Sequence, residues 1–314
     1  MAVPLVHNMR ISVVIPNYNG AATVIRAAQA MLRQATTHSV TVVVVDDGST
    51  DGSAESVEAS LGSQIQLVAL KTNQGRSTAR NEGALATDAE LLIFIDSDCV
   101  PVGTEFIAEH LAAIQKGAAI SFGQICTPGC GFWDQLQRYS NVLRSKQFES
   151  GQWWVFTTQN VAVTRQAFDQ VHGFDPLFNR HGFEDRDLFV RLVEAGARPS
   201  YTPTAQVVHE DRITLSSVAR KQGDAGYFSA HLFRQRHPQV YSQMAYSRLD
   251  CSLHPWLSFV DSTLSPLAAR LARGKGQWLE WQWLPFGLRA FLARAIYGLS
   301  YLHGTARRLR EGTT

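Results

Sequence analysis

The chain has 314 residues, 45% of them hydrophobic and 18% charged, with a formal net charge of +2. That apolar share excludes a disordered or collagen-like chain, and the length suits one large domain or two small ones. A charge of +2 over such a length excludes a general attraction to nucleic acid.

Four cysteines, Cys99, Cys126, Cys130 and Cys251, are too few for a disulfide framework in a chain of this size. Cys126 and Cys130 lack the further cysteines or histidines of a zinc site, so a reducing compartment fits best. The first sixteen residues show no apolar core behind a basic start and do not read as a secretory signal. No run of 18 apolar residues occurs. The expectation is a cytoplasmic protein, or one held on the inner face of the cytoplasmic membrane.

Residues 11–16 read as a buried strand and 23–34 as a helix. Residues 40–47, "VTVVVVDD", form a second strand rich in β-branched side chains. A helix over 53–61 capped by Ser53, the strand "IQLVAL", a helix over 77–85 and the strand "LLIFI" follow. A helix over 104–116 and the strand "AAISFG" complete the alternation. This order predicts βαβ units and a largely parallel sheet covered on both faces. The stretch from Cys126 to Thr158 has no period and reads as a long excursion over the sheet. A short strand and a helix resume at "TQNVAVTRQAF", and a helix and two short strands run to Asp211. Beyond that the pattern is helical, basic and aromatic.

In open α/β sheets, ligands sit beyond the carboxyl ends of the strands. Here those ends carry Asn17-Tyr18-Asn19, Asp46-Asp47, Lys71-Thr72-Asn73 and Asp96-Ser97-Asp98. In an extended segment Asp96 and Asp98 point to one side. Two carboxylates brought together repel unless a cation stands between them, and Mg²⁺ or Mn²⁺ suits such oxygens and also binds substrate phosphates. A solvated, capped turn is the bland alternative. Asp46 and Asp47 can cap a turn, or accept from a base N–H or ribose hydroxyls. Glu184 and Asp185 open a helix, where acids complement the dipole. Leu188, Phe189 and Leu192 put Asp185 on the apolar face, the position of a general base with a raised pKa. His209 ends a strand and is either a hydrogen-bonded structural residue or a third metal ligand.

"SVVIPNYNG", "VVVVDDGSTDGS", "NQGRSTARNEG", "FIDSDC", "GFEDRDLFVRLVEAG" and "VVHED" resemble, in order, the motifs of family 2 glycosyltransferases of the GT-A fold. The resemblance covers residues 10–211. It implies a catalytic domain over 1–211, with a nucleotide-binding half over about 10–125 and an acceptor half over 126–211, and a helical extension over 212–314. It implies an inverting, metal-dependent hexosyltransferase that takes a sugar from a nucleotide-diphosphate sugar. By that likeness Pro16, Tyr18, Asp46, Asp47, Arg80 and Asp96 would hold the nucleotide. Asp96, Asp98 and His209 would ligate Mg²⁺ or Mn²⁺. Asp185 would deprotonate the acceptor hydroxyl and Glu184 would orient donor or acceptor groups.

Only Asn160 and Arg165 align in the acceptor-side motif, and the processive Q-x-x-R-W signature is absent, so a single sugar addition is expected. The tail "WLEWQWLPFGLRAFLARAIYGLSYLHGTARRLR" has Arg289 and Arg294 too central for a membrane span. It suits either an interfacial helix or one packed on the protein. An interfacial tail would suit a lipid-linked or other glycan acceptor in cell-envelope or surface glycan synthesis. The rival readings are a nucleotidyltransferase making nucleotide sugars, whose basic glycine-rich loop after the first strand is missing, and a non-catalytic nucleotide-sugar-binding module. The donor sugar and the oligomeric state stay open.

Overall fold

The computed structural model describes residues 8–210, 213–273 and 276–312. The chain forms two compact units, and each is described by itself. One comprises Met1–Pro128, Gln137–Pro176 and Leu188–Asp211, the other Gly129–Leu136, Leu177–Asp187 and Arg212–Thr314. The predicted boundary at 211/212 and Asp211 of "VVHED" lie outside the described residues.

The first unit is built on an eight-stranded mixed sheet in the order β3-β2-β1-β4-β7-β6-β8-β5. Its strands are β1 (Arg10–Asn17), β2 (Ser39–Asp46), β3 (Gln66–Ala69), β4 (Leu91–Ile95), β5 (Cys99–Pro101), β6 (Ile120–Cys126), β7 (Asn160–Thr164) and β8 (Pro199–His209). The helices α1 (Ala21–Leu32), α2 (Ser53–Leu61), α3 (Arg76–Leu85) and α4 (Phe106–Gln115) connect the first strands. β1 to β4 pair in parallel, whereas β7 runs antiparallel to both β4 and β6.

Both faces of the central strands are buried, which is why they read as runs of consecutive apolar residues. Ile11, Val13 and Ile15 pack with Val24 and Met31 of α1 and Phe106 and Leu111 of α4. The alternate residues Val14, Val43 and Val45 pack with Ala79 and Ala84 of α3 on the opposite face. Gly83 makes that crossing close: a Cβ there would stand 2.4 Å from Val14 and 2.8 Å from Val45.

Three elements differ from the sequence reading. The aperiodic stretch contains an 18-residue helix, α5 (Phe132–Glu149), whose buried residues are Phe132 and Leu136. So thin an apolar stripe gives little helical period to detect. The two short strands expected before Asp211 are one, β8, whose pairing with β6 shifts register between Gly123 and Gln124. β5 has three residues and was hidden in the turn after "LLIFI".

The register shift is filled by a buried polar chain. The Asn160 amide donates to the Gln124 carbonyl at 3.1 Å and the Ala205 carbonyl at 2.9 Å. Its Oδ1 lies 2.9 Å from His110 Nε2, and His110 Nδ1 lies 2.8 Å from the Ser121 hydroxyl, which meets Thr202 at 2.8 Å. An amide oxygen only accepts, so His110 carries its proton on Nε2 and accepts from Ser121 at Nδ1. Burial holds the His110 pKa down to about 4, so the ring stays neutral. Glycine is required at 123, because a Cβ would meet the Asn160 amide at 2.3 Å. Arg165, which opens the short helix α6 (Arg165–Gln170), donates to the carbonyls of Ala84, Thr87 and Ala89 and ties α6 to the end of α3 and the loop before β4.

The second unit is helical. It contains α8 (Leu215–Asp224), a single π-helical segment (Ala225–Ser229), α9 (Ala230–Arg236), α10 (Pro238–Gln243), α11 (Leu257–Arg273) and α12 (Phe286–Glu311). α11 buries small residues, Ser265, Ala268 and Ala272, which lets it approach α12. Arg289 is buried, donates to the Leu279 carbonyl at 2.5 Å and lies over the Phe132 ring.

Candidate active site

The carboxyl ends of β1 and β2 are aligned by their pairing, Asn17 opposite Asp46. Asp46 is buried and fully engaged. It accepts from the Ser49 N–H at 2.8 Å, the Ser49 hydroxyl at 2.7 Å and the Asn17 amide at 3.0 Å. Asp47, also buried, accepts from the backbone N–H groups of Gln74 at 2.7 Å and Gly75 at 2.9 Å, at the entrance of α3. Burial pushes the Asp47 carboxyl above its ordinary value, further than those two bonds pull it down, and the charge of Asp46 adds to the rise. Pro16 is buried in β1, and Tyr18 just beyond it is 50% exposed. Asn19 takes a left-handed conformation, φ 54°, and exchanges hydrogen bonds with Ser49 and Thr50. Ser53 is the first helical residue of α2 and Gly52 is the cap.

The end of β4 is organised differently. Arg80 of α3 is 1% exposed and donates to Asp96 at 2.8 Å, with its guanidinium over the Phe174 ring. Asp98 meets His209 Nε2 at 3.3 Å, because β5 and β8 place Cys99 opposite His209. The Cys99 thiol donates to Asp98 at 3.6 Å. Burial pushes Asp98 upward, but the His209 hydrogen bond and charge, the Cys99 thiol and the Arg76 charge together hold it below its ordinary value. Burial and the two neighbouring aspartates push the Cys99 thiol well up, so it stays protonated. The Glu210 N–H donates to the Asp98 carbonyl, and Glu210 pairs with Arg26 of α1, which fixes the end of β8.

Asp98 and His209, grouped on sequence grounds, therefore do meet. Asp96, grouped with them, accepts from Arg80. Among the described residues, no three His, Cys, Asp or Glu side chains form a cluster able to hold a metal.

Glu184 and Asp185 open α7 (Glu184–Glu194) in the second unit. Phe183 before them has φ 68°, and Glu184 accepts from the Gly182 N–H at 2.8 Å. Asp185 is half-buried, while Glu184 and Asp187 are buried. Asp187 was missed in the sequence. It lies 2.9 Å from His237 Nε2 and 3.6 Å from Arg236, which fixes the first turn of α7. An aspartate one turn into an apolar helix was the available signal; its partners, fifty residues on, carried none.

The model of glycosyl transferase family 2 matches residues 12–174, and that of the N-terminal domain of galactosyltransferase matches residues 137–213. An uncharacterized glycosyltransferase of Nostoc sp. is 32% identical over 191 residues, covering 54% of this chain and 55% of the relative. The pre-mycofactocin glycosyltransferase of Mycobacterium tuberculosis is 29% identical over 241 residues, covering 73% and 48%. The chain thus spans about half the length of these relatives. Among solved structures, a mannosyltransferase from Pyrobaculum calidifontis, in complex with GDP-Man and Mn²⁺, matches 98% of this chain and 89% of its own. Its TM-score is 0.65 at 19% identity, a likeness of fold.

Proposed function

This chain belongs to glycosyl transferase family 2, and from that premise we propose that it transfers one sugar from a nucleotide-diphosphate sugar to an acceptor hydroxyl with inversion. The observation that carries the reading is the Asp98–His209 pair at the carboxyl edge of the sheet, beside the Arg80–Asp96 pair. A carboxylate and an imidazole fit a divalent cation that takes its other ligands from donor phosphate and water. Asp98 and His209 would hold Mg²⁺ or Mn²⁺, which supplies charge to offset the negative charge growing on the departing diphosphate.

The nucleotide has its own receptors. Tyr18 offers an exposed ring for a base to stack on. Asp47, already aligned by two backbone donors, keeps lone pairs for a base N–H. Arg80 holds Asp96 toward the ribose. In the transfer, the acceptor oxygen bonds to the anomeric carbon as the bond from that carbon to the diphosphate oxygen breaks. The electron pair leaves with the nucleoside diphosphate, and the acceptor proton passes to the Asp185 carboxylate. Asp187, clamped by His237, steadies the helix turn that carries Asp185, and Glu184 orients the sugar or acceptor.

The second unit supports a peripheral membrane role. No helix among the described residues is long and apolar enough to cross a membrane. Yet α11 presents Leu264, Leu267 and Leu271 along one side, with Trp256 just before the helix, all exposed, and with Arg270 and Arg273 beside them. Trp283 and Phe291 are exposed near the start of α12. Such a surface suits the headgroup boundary of an anionic membrane on the inner face of the cytoplasmic membrane, and with it a lipid-linked or envelope glycan acceptor.

The test is sugar transfer and donor hydrolysis across a panel of nucleotide sugars, with and without Mn²⁺, in wild type and Asp185→Asn. The variant keeps its size but takes no proton, so turnover should fall by roughly 10² to 10⁴ while donor affinity stays unchanged. Full turnover in the variant would move the base elsewhere. A collapse of donor affinity would place Asp185 in the donor site.

A further inference from the structure

The helical unit contains a cavity of about 260 Å³ that the transfer reaction does not use. Its wall includes Gly226, His231, Arg234, Ser252, Asp250 and Arg308. The backbone makes it. At Gly223, Gly226 and Gly304 the backbones of α8, the π-helical segment and α12 approach directly. A Cβ on Gly226 would stand 2.4 Å from the Tyr301 carbonyl, and one on Gly304 would stand 2.2 Å from the Gly223 carbonyl. A π-helical turn is rare and shifts the facing of the residues that follow it. His231 and Arg234, three apart on α9, share one face, and Arg308 of α12 lines the same cavity.

The charges on this wall do not balance. Asp250 is the acid lining it, and it is committed: it accepts from Tyr241 at 2.8 Å and from the Ser252 N–H at 2.9 Å, and lies 3.5 Å from Arg234. Arg308 donates to the Tyr227 carbonyl at 3.3 Å and makes no ion pair among the described residues. His231 Nδ1 is buried without a hydrogen-bond partner among them. Burial, then the charges of Arg308 and Arg234, hold His231 down to about 4. Burial and the charge of Arg234 likewise lower Arg308.

We propose that this cavity binds the phosphate group of a phosphate ester, with Arg308, Arg234 and His231 as its donors. The terminal oxygens of the group, two in a diester and three in a monoester, can accept from the Arg308 guanidinium, from the N–H groups of Arg234 not used by Asp250 and Ser252, and from one ring nitrogen, and such charge-assisted bonds are the strong ones. The anion supplies the counter-charge that Arg308 lacks and gives His231 a reason to take up a proton. Beyond the phosphate, the cavity has room for the first atoms of the esterified group. A soluble phosphate ester and a lipid headgroup present the same chemistry.

The experiment reads His231 directly. Full-length protein with ¹⁵N-labelled histidine is titrated at pH 7 with inorganic phosphate, and separately with phosphatidylglycerol or phosphatidylcholine vesicles, at constant ionic strength. His231→Gln assigns the resonance. The expected result is a saturable shift of the His231 ring nitrogens toward the imidazolium pattern. A response to inorganic phosphate identifies a soluble ester site, and a response confined to phosphatidylglycerol vesicles identifies a headgroup site. In Arg308→Gln the affinity should weaken about tenfold or more, the worth of one lost charged hydrogen bond. Silence toward every probe overturns the proposal, as does unchanged affinity in Arg308→Gln. If that variant does not fold, the wild-type titration decides, because its reporter sits in the cavity wall.

Discussion

Two pairs of aspartates stand at the same edge of one sheet, and they are built in opposite ways. Asp46 and Asp47 follow β2, and neutral donors surround them: a hydroxyl, an amide and backbone N–H groups. Asp96 and Asp98 follow β4, and cationic or cationisable groups meet them, Arg80 and His209. The electrostatic outcome differs in sign: Asp47 is pushed above its ordinary value and Asp98 is held below it. Neutral donors orient a carboxylate without answering its charge, whereas Arg76 and His209 answer it. The first pair therefore shapes a turn, the one that receives the nucleotide in the proposed function. The second is a site of paired opposite charges, the one given to the cation in the proposed function.

The largest effect expected from breaking this contrast is at Asp98. Asp98→Asn keeps the shape and removes the charge. Turnover should fall by roughly 10² to 10³, the range for losing one preorganised electrostatic group at a reacting centre. Unfolding free energy should fall by about 1 to 2 kcal/mol, because a charge-assisted bond in a largely buried pair is replaced by a neutral one. Steady-state kinetics with and without Mn²⁺, beside a urea titration, checks both. Normal turnover in the variant would reduce Asp98 to a structural acid and erase the contrast.

The difference between the pairs was only half legible. The strand ends were readable, because four buried apolar runs stop at polar residues and the parallel topology collects those stops at one edge. What each aspartate touches was not. Arg80 reaches Asp96 from a helix sixteen residues earlier, and His209 reaches Asp98 across a strand pair in which β5 is three residues long. Asn160 and Arg165 looked like acceptor-side residues. Asn160 meets His110 and two internal carbonyls at a register shift that leaves no pattern in sequence, and Arg165 donates to carbonyls at the end of α3 and in the loop after it. α5 escaped for the opposite reason, a helix with too little buried surface to mark its period.

The next effect in size concerns that register shift, which carries β8 to His209. His110 is neutral in the fold with a pKa of about 4, and near its ordinary value of about 6.5 when unfolded. Its folded pKa is depressed, so between these values the unfolded chain binds the extra proton and stability rises with pH. Its contribution is intact above pH 6.5 and is lost progressively as the pH falls toward 4. The loss is about 3.5 kcal/mol, the gap from 6.5 to about 4 at about 1.4 kcal/mol per pH unit. His110→Gln should be less stable at pH 7, because it breaks the chain from Ser121 to Asn160. It should also lose less stability on acidification than wild type. Urea unfolding at pH 7, 5.5 and 4.5 measures both slopes. Parallel slopes would mean that the ring is already protonated in the fold.

The smallest effect separates the two functions of a carboxylate at Asp47. Its two hydrogen bonds hold the entrance of α3 to the end of β2. Its charge is unfavourable there, since burial raises its pKa, and that cost is present above the folded pKa and relieved as the pH falls below it. Asp47→Ala removes both acceptors and leaves two backbone N–H groups to find water. A loss of about 2 kcal/mol is expected, as for a lost cap with a stranded donor. Asp47→Asn keeps one acceptor oxygen and drops the charge, so it should cost about half as much. Neither variant should alter the response of turnover to Mn²⁺. Thermal unfolding of the two variants, compared with Asp98→Asn, tests the contrast from its structural side. If Asp47→Asn destabilises as much as Asp47→Ala, the charge itself holds the turn, and the two aspartate pairs are more alike than their partners suggest.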